Sequence, residues 1–226
     1  MPPLSSELLG FPAGARVLIV NNDDFGMYHA VNAAVIHSIE EGIASSSSLM
    51  VPGPGAPDAM RRLREHPAVP FGIHLTLVRD TPHSRWGPLA GRDRVPSLLD
   101  EAGELYTCDR IPELLAGARL DDVERELRAQ IDAVARAGLA PTHLDWHCLA
   151  DGGRDDILDL TVALAREHGL AARVWQEPGR GQARRRGLPV VDPRPGQAGG
   201  HRGDRLPGRA AGLGGGGLIA RRPGRV

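Results

Sequence analysis

The feature that most narrows the fold is a run of four apolar residues, Val17, Leu18, Ile19 and Val20, that stops abruptly at Asn21-Asn-Asp-Asp-Phe-Gly26. The run is too short for a helix and rich in β-branched side chains. It predicts a buried parallel strand whose C-terminal end carries two carboxylates, Asp23 and Asp24, into a loop. Gly26 lets the chain turn before a helix begins. In α/β proteins the C-terminal ends of parallel strands are where sites are built. Two neighbouring ionised carboxylates repel each other, so either a cation lies between them or one keeps its proton. A bound metal answers that requirement. Asp is also a favoured helix N-cap, and either residue alone would be read that way.

The rest of the chain repeats the pattern of strand, polar strand end and helix. Apolar residues at Ala30, Val31, Ala34, Val35 and Ile39 predict a helix over 27–41, with Gly42 at its C-terminal cap. A second strand is expected within 43–51, where four serines precede Leu49-Met-Val51, followed by the breaker Pro52-Gly-Pro-Gly55. Residues 58–65 read as a short helix and 71–78 as a third strand, with His74 among apolar neighbours. Residues 79–103, rich in Pro, Gly and Arg, read as a long loop over one face. The clearest helix spans 120–137, with Val123, Leu127, Ile131 and Val134 on one side and Gly138 and Pro141 beyond its end. A strand and its loop follow at 142–147, then a helix at 155–168 and a strand at 170–175. Strands and helices in alternation imply a parallel sheet, with barrel-like closure as one way to complete it.

Composition adds three constraints. With 226 residues and 41% hydrophobic content the chain can bury a core, as one domain or one and a half. No apolar run is long enough to span a bilayer and the N-terminus lacks a signal-peptide pattern, so a cytoplasmic location is expected. Cys108 and Cys148 are the only cysteines and have no CxxC spacing. Neither a disulfide scaffold nor a thiolate zinc site is expected from that pattern, and a metal should take oxygen and imidazole ligands.

The formal net charge of −1 conceals two unlike segments. Residues 1–172 carry 15 Arg against 25 acids, and residues 173–226 carry 12 Arg against 3. Residues 192–226, rich in Arg, Gly and Pro, show no strand or helix period and are expected to be disordered. A GC-rich gene read out of frame would yield such a stretch, so a frameshifted or artificial terminus is expected. Without interleaved aromatic residues, that segment gives no reason to expect nucleic-acid binding.

Three strand ends therefore supply metal-type groups: Asp24 from the first, His74 from the third, and His143, Asp145 and His147 from the fourth. In a parallel sheet those ends share one face, and two imidazoles with one carboxylate suit a catalytic divalent ion such as zinc or magnesium. A two-metal phosphoesterase would need more carboxylates than are available.

The motifs Asn21-Asn-Asp-Asp-Phe-Gly26, Gly72-Ile-His-Leu-Thr76 and Pro141-Thr-His-Leu-Asp-Trp-His147 resemble, in order and spacing, those of the YdjC-like carbohydrate deacetylases (the ChbG/HpnK family). The resemblance covers residues 15–191. It implies an α/β fold, a distorted (β/α) barrel similar to polysaccharide deacetylases and incomplete here, and hydrolysis of an N-acetyl group from an amino sugar such as a chitooligosaccharide or a glycolipid. It further implies Asp24, His74 and His147 as ligands of a divalent metal (Mg or Zn) and Asp23 as catalytic base. His143 and Asp145 become candidates for orienting a ligand or supplying the acid. Where many members continue the third motif with further histidines, this chain has Cys148-Leu-Ala150, and nothing after Asp192 resembles the family's later His-Pro-Gly motif. The alternative expectation is an impaired metal- or sugar-binding fragment. Trp86 and Trp146 are candidates either for stacking on sugar rings or for packing, and the exposed sheet edges of an incomplete barrel would favour a homodimer or aggregation.

Overall fold

A computed structural model describes residues 10–12 and 14–174. Five parallel strands, β1 (Asn21–Phe25), β2 (Ser46–Leu49), β3 (Phe71–Leu75), β4 (His143–Trp146) and β5 (Ala171–Ala172), lie side by side in chain order. The connections carry helices α1 (His29–Glu40), α2 (Ala56–Glu65), α3 (Ile111–Gly117), α4 (Leu120–Arg136) and α5 (Asp155–His168). Consecutive order without reversal is the arrangement of a (β/α) barrel wall and differs from a doubly wound sheet, whose order reverses at a switch point. The protein is thus α/β, as its alternating pattern predicts. The expectations for residues 175–226, including the Arg-rich segment and the end of the last strand, lie outside the described residues. No helix among the described residues is long and apolar enough to cross a membrane.

The first strand corrects the sequence reading. It starts at Asn21, after the apolar run, and Leu18 and Ile19 are 81% and 70% exposed. The reason is the length of its neighbour. β2 begins only at Ser46, and backbone pairing begins where the Ser45 and Ser46 amides donate to the Val20 carbonyl, so residues 17–19 have no adjacent strand among the described residues to bury them. β2 is likewise shorter than expected, and Ile43 is exposed.

The core forms where the helices cover the sheet. Phe25, Leu49, Ile73, Leu75 and Leu144 from the strands meet Val123, Leu127, Ile131 and Val134 of α4 and Ile157 and Leu164 of α5. The apolar stripe of α4 is the one its sequence period marks. Beside it runs a second stripe that hydrophobic periodicity does not reveal: Asp122, Glu126 and Gln130, four residues apart and all fully buried. Asp122 accepts from the Ser97 amide and hydroxyl, Glu126 accepts from the Leu89 and Ala90 amides, and Gln130 exchanges bonds with the Thr76 backbone. These side chains satisfy loop amides that have no sheet partner.

Residues 79–103 therefore form the expected loop, but a pinned one. Trp86 is buried and donates from Nε1 to the Val78 carbonyl at 2.9 Å, so it packs and is not a free stacking surface. Isolated bridges join Arg79 to Thr107 and Leu99 to Leu105.

Burial alone would raise the Asp122 carboxyl, but Ser97, Arg119 and Arg125 outweigh it and bring its pKa from 3.8 down to about 2. A carboxyl depressed by folding stabilises the protein above its unfolded pKa, and that contribution disappears as pH falls through the folded value. Asp122→Asn should therefore cost about 1–3 kcal/mol at neutral pH. It should also flatten the acid limb of stability between pH 3.8 and about 2. Urea unfolding across that range tests it, and an unchanged acid limb would contradict the assignment.

Candidate metal centre and active site

The site is built at the C-terminal strand ends, beginning with a defect in β1. Its pairing with β2 shifts register between Asn22 and Phe25, and Asp24 adopts a left-handed conformation (φ 65°). For a residue with a Cβ such a bulge costs on the order of 1–3 kcal/mol and persists only when its surroundings hold it. Buried Asn32 does so: its Oδ1 accepts from the Gly26 amide at 2.7 Å, and its Nδ2 donates to the Gly55 carbonyl and to Asp58.

Strand register supplies the next pair. His74 on β3 lies directly beside Asp145 on β4, and Nδ1 of His74 donates to Asp145 Oδ1 at 2.7 Å. That bond turns Nε2 of His74 towards Asp24 Oδ1, 3.4 Å away. His147, just past β4, presents Nδ1 to the same Asp24 oxygen at 3.0 Å and Nε2 to Asp80 Oδ1 at 2.7 Å. One donor atom from each of Asp24, His74 and His147 lies within 4.8 Å of the other two.

Asp23, His74 and Asp145 form a second trio of the same span. Its carboxylates already have a cation: Arg173 lies 3.0 Å from Asp23 Oδ2 and 3.1 Å from Asp145 Oδ2. Among the described residues Asp24 is paired with the imidazoles of His74 and His147 alone, which makes its trio the better fit for an added ion.

Electrostatics support this division. His147 first, and then His74, hold the Asp24 carboxyl well below the usual carboxylate range. Burial opposes charge on His147, yet Asp24 and Cys148 push it up to about 10. Burial likewise opposes charge on His74, and Asp145 and Asp24 raise it. Without metal the neighbouring carboxylates thus favour the charged form of both imidazoles, the place where a divalent ion would bring its own charge. The donor set fits such an ion, with Asp145 bracing His74 from behind in the carboxylate–histidine arrangement common at metal sites.

Asp145 is almost completely buried. Burial would raise its carboxyl, but His143, His74 and the Ser48 hydroxyl hold it well below the usual range. Ser48 Oγ donates to Asp145 Oδ2 at 2.5 Å and accepts from Asn21 Nδ2, which also donates to Asp23 Oδ1 at 2.7 Å. His143 sits on the far side of Asp145, with Nε2 3.6 Å from Oδ2 and its ring against Gly72, where a Cβ would come within 2.4 Å. Every residue singled out from the sequence is therefore in one neighbourhood, although His143 is one carboxylate removed from Asp24.

A cavity of about 390 Å³ opens on Asp23, Asp24, His74 and His147, with Asp80, Trp146 and both cysteines completing its wall. Sequence reasoning missed Ser48, Asp80, Arg173 and Cys108 as site residues, because nothing in local spacing connects them to the three motifs, and it gave no role to Cys148 although that residue directly follows His147. Cys108 and His147 push the Cys148 thiol down to about 5, whereas Cys148 and burial raise Cys108. Ser48→Ala removes the hydroxyl that joins β1 to Asp145, and should cost about 1–3 kcal/mol. The urea midpoint should fall with an unchanged slope. A loss below about 0.5 kcal/mol, the range of ordinary surface substitutions, would mean that this hydroxyl does not brace the network.

Comparison with known proteins agrees with this geometry. The family model described as YdjC-like protein matches residues 17–205. A carbohydrate deacetylase of Geobacillus stearothermophilus is 41% identical over 132 residues, covering 58% of this chain and 49% of that protein. A chitooligosaccharide deacetylase of Serratia marcescens is 33% identical over 179 residues, covering 79% and 65% respectively. The crystal structure of a proposed cellobiose-phosphate cleavage protein from Enterococcus faecalis V583 superposes with a TM-score of 0.65 at 30% identity, covering 73% of this chain and 61% of that one. The chain spans about half to two thirds of the length of these curated relatives. The match over most of its residues shows that the chain belongs to the YdjC-like protein family.

Proposed function

We propose that this protein is a metal-dependent carbohydrate deacetylase that hydrolyses the N-acetyl group of an amino sugar. The observation that carries the reading is the convergence of Asp24, His74 and His147 from three strand ends, with His74 braced by buried Asp145. Deacetylase names among the relatives support the reaction class. The cofactor is a divalent cation, magnesium or zinc. When bound, such an ion supplies Lewis acidity towards an amide carbonyl and lowers the pKa of water.

The chain's own groups supply the rest. Asp24 and the two imidazoles hold the ion, and their preset orientation spares the reorganisation that a flexible set would need. Asp23 acts as general base. Supporting that role, it is adjacent to Asp24 and about half exposed at the cavity, and its two oxygens are held by Asn21 and Arg173. Asp145 is a positioning residue, since its contacts are with His74, Ser48, His143 and Arg173 and it is withdrawn from the cavity. His143 orients Asp145 from the opposite side.

The reading is tested by acetate release from N,N'-diacetylchitobiose, with magnesium and zinc supplied in turn. Asp23→Asn should lower the rate by about 10²–10⁴-fold while metal binding persists. Equal rates in wild type and variant would remove Asp23 from the proton transfer. Absence of release from a metal-loaded chain would favour the alternative of a metal- or sugar-binding fragment. Asp145→Asn should weaken metal binding about 10–100-fold by calorimetry, as expected when the partner that orients a ligating imidazole loses its charge.

A further inference from the structure

Both cysteines of the chain face the cavity of the candidate site, although they come from unrelated segments. Cys108 opens the 3-10 turn Cys108–Arg110, and Cys148 follows His147 in a left-handed conformation (φ 58°). With Asp80 and His147 they form a group in which one donor atom of each lies within 4.8 Å of all the others. His147 Nε2 is 2.7 Å from Asp80 Oδ1 and 3.5 Å from Cys148 Sγ, and Cys108 Sγ is 3.9 Å from Asp80 Oδ1. Tetrahedral zinc, with bonds of about 2.0–2.3 Å, has its ligand atoms about 3.3–3.8 Å apart. The observed separations bracket that span.

This group differs in chemistry from the set around Asp24. It contains two sulfurs, and it uses the opposite edge of the His147 ring: Nδ1 faces Asp24 at 3.0 Å, whereas Nε2 faces Asp80 and Cys148. Thiolates favour thiophilic ions such as zinc, while a set of oxygen and imidazole donors also accepts harder ions. A pair of thiols simply closing the cavity wall would need neither an imidazole nitrogen nor a carboxylate oxygen directed at the same point. We propose that Asp80, Cys108, His147 and Cys148 form a second cation site, selective for a thiophilic divalent ion such as zinc, beside the set formed by Asp24 and His74.

The shared imidazole gives the second site a consequence for the first. With an ion on Nε2, the remaining ring proton resides on Nδ1 and is donated to Asp24. Zinc on the sulfur side thus withdraws His147 from the other set and competes with an ion held by Asp24 and His74. The second cation site itself does not depend on the deacetylase reading; only its competition with the first set rests on that reading.

Cobalt(II), a spectroscopic substitute for zinc, provides the test. Added to the reduced full-length chain, it should produce the near-ultraviolet sulfur-to-cobalt charge-transfer absorption of thiolate ligation. That band should be lost in the double variant Cys108→Ser/Cys148→Ser and retained in Asp24→Asn. Zinc should also protect both thiols of the unmodified chain from alkylation, a measurement that decides the matter even if the double variant does not fold. Absence of the band, its survival in the double variant, or thiols alkylated equally fast with and without zinc would each overturn the proposal.

Discussion

The buried charge of Asp145 is the interaction on which the site depends. A carboxylate withdrawn from water is costly unless its lone pairs are occupied by charged or polar donors. Here those donors come from across the sheet, Ser48 on β2, His74 on β3 and Arg173 after β5, while the His143 imidazole on β4 lies 3.6 Å away. Asn21 on β1 joins through Ser48, and Asp23 returns to Arg173. One polar network thus links the five described strands, with Asn21 and His143 at the starts of β1 and β4 and Arg173 just past β5. Because partly satisfied networks are worse than apolar packing, the network favours a single register and a single orientation of His74.

The same economy explains the loop over the sheet. Residues 79–103 have no ladder of their own, and the buried stripe of α4 takes the place of one by accepting loop amides through Asp122 and Glu126. Glu126 shows the cost: burial raises its carboxyl, and three hydrogen bonds only partly offset it. The pinning carries through to the site, since the Arg79–Thr107 bridge sets Asp80, at the start of this segment, and Cys108, just beyond it, near His147.

His147 is where the functional consequences meet. Its ring lies between two acid groups, 3.0 Å from Asp24 on one edge and 2.7 Å from Asp80 on the other, with a thiol at 3.5 Å. An imidazole so placed behaves as a cation in the metal-free chain and as a ligand once a metal displaces its proton, so metal occupancy and protonation are coupled at this residue. The left-handed turns at Asp24 and Cys148 flank it, both at ends of strands, where strain serves to aim a side chain.

Much of this was legible in the chain itself. The α4 stripe of Val123, Leu127, Ile131 and Val134 is buried as its 3.6-residue period requires, and the three motifs with Asp24, His74 and His147 each stand at a strand end. Local pattern determined these because helix period, strand alternation and turn residues act over a few positions. It misjudged residues 17–20, whose β-branched run is a strand only if a neighbour extends alongside, and β2 does not. Tertiary structure alone decided that Ser48 meets Asp145, that Arg173 neutralises Asp23, and that Cys108 lies near Cys148. Those contacts depend on inter-strand register and on where a long loop is anchored, which no short stretch of sequence encodes.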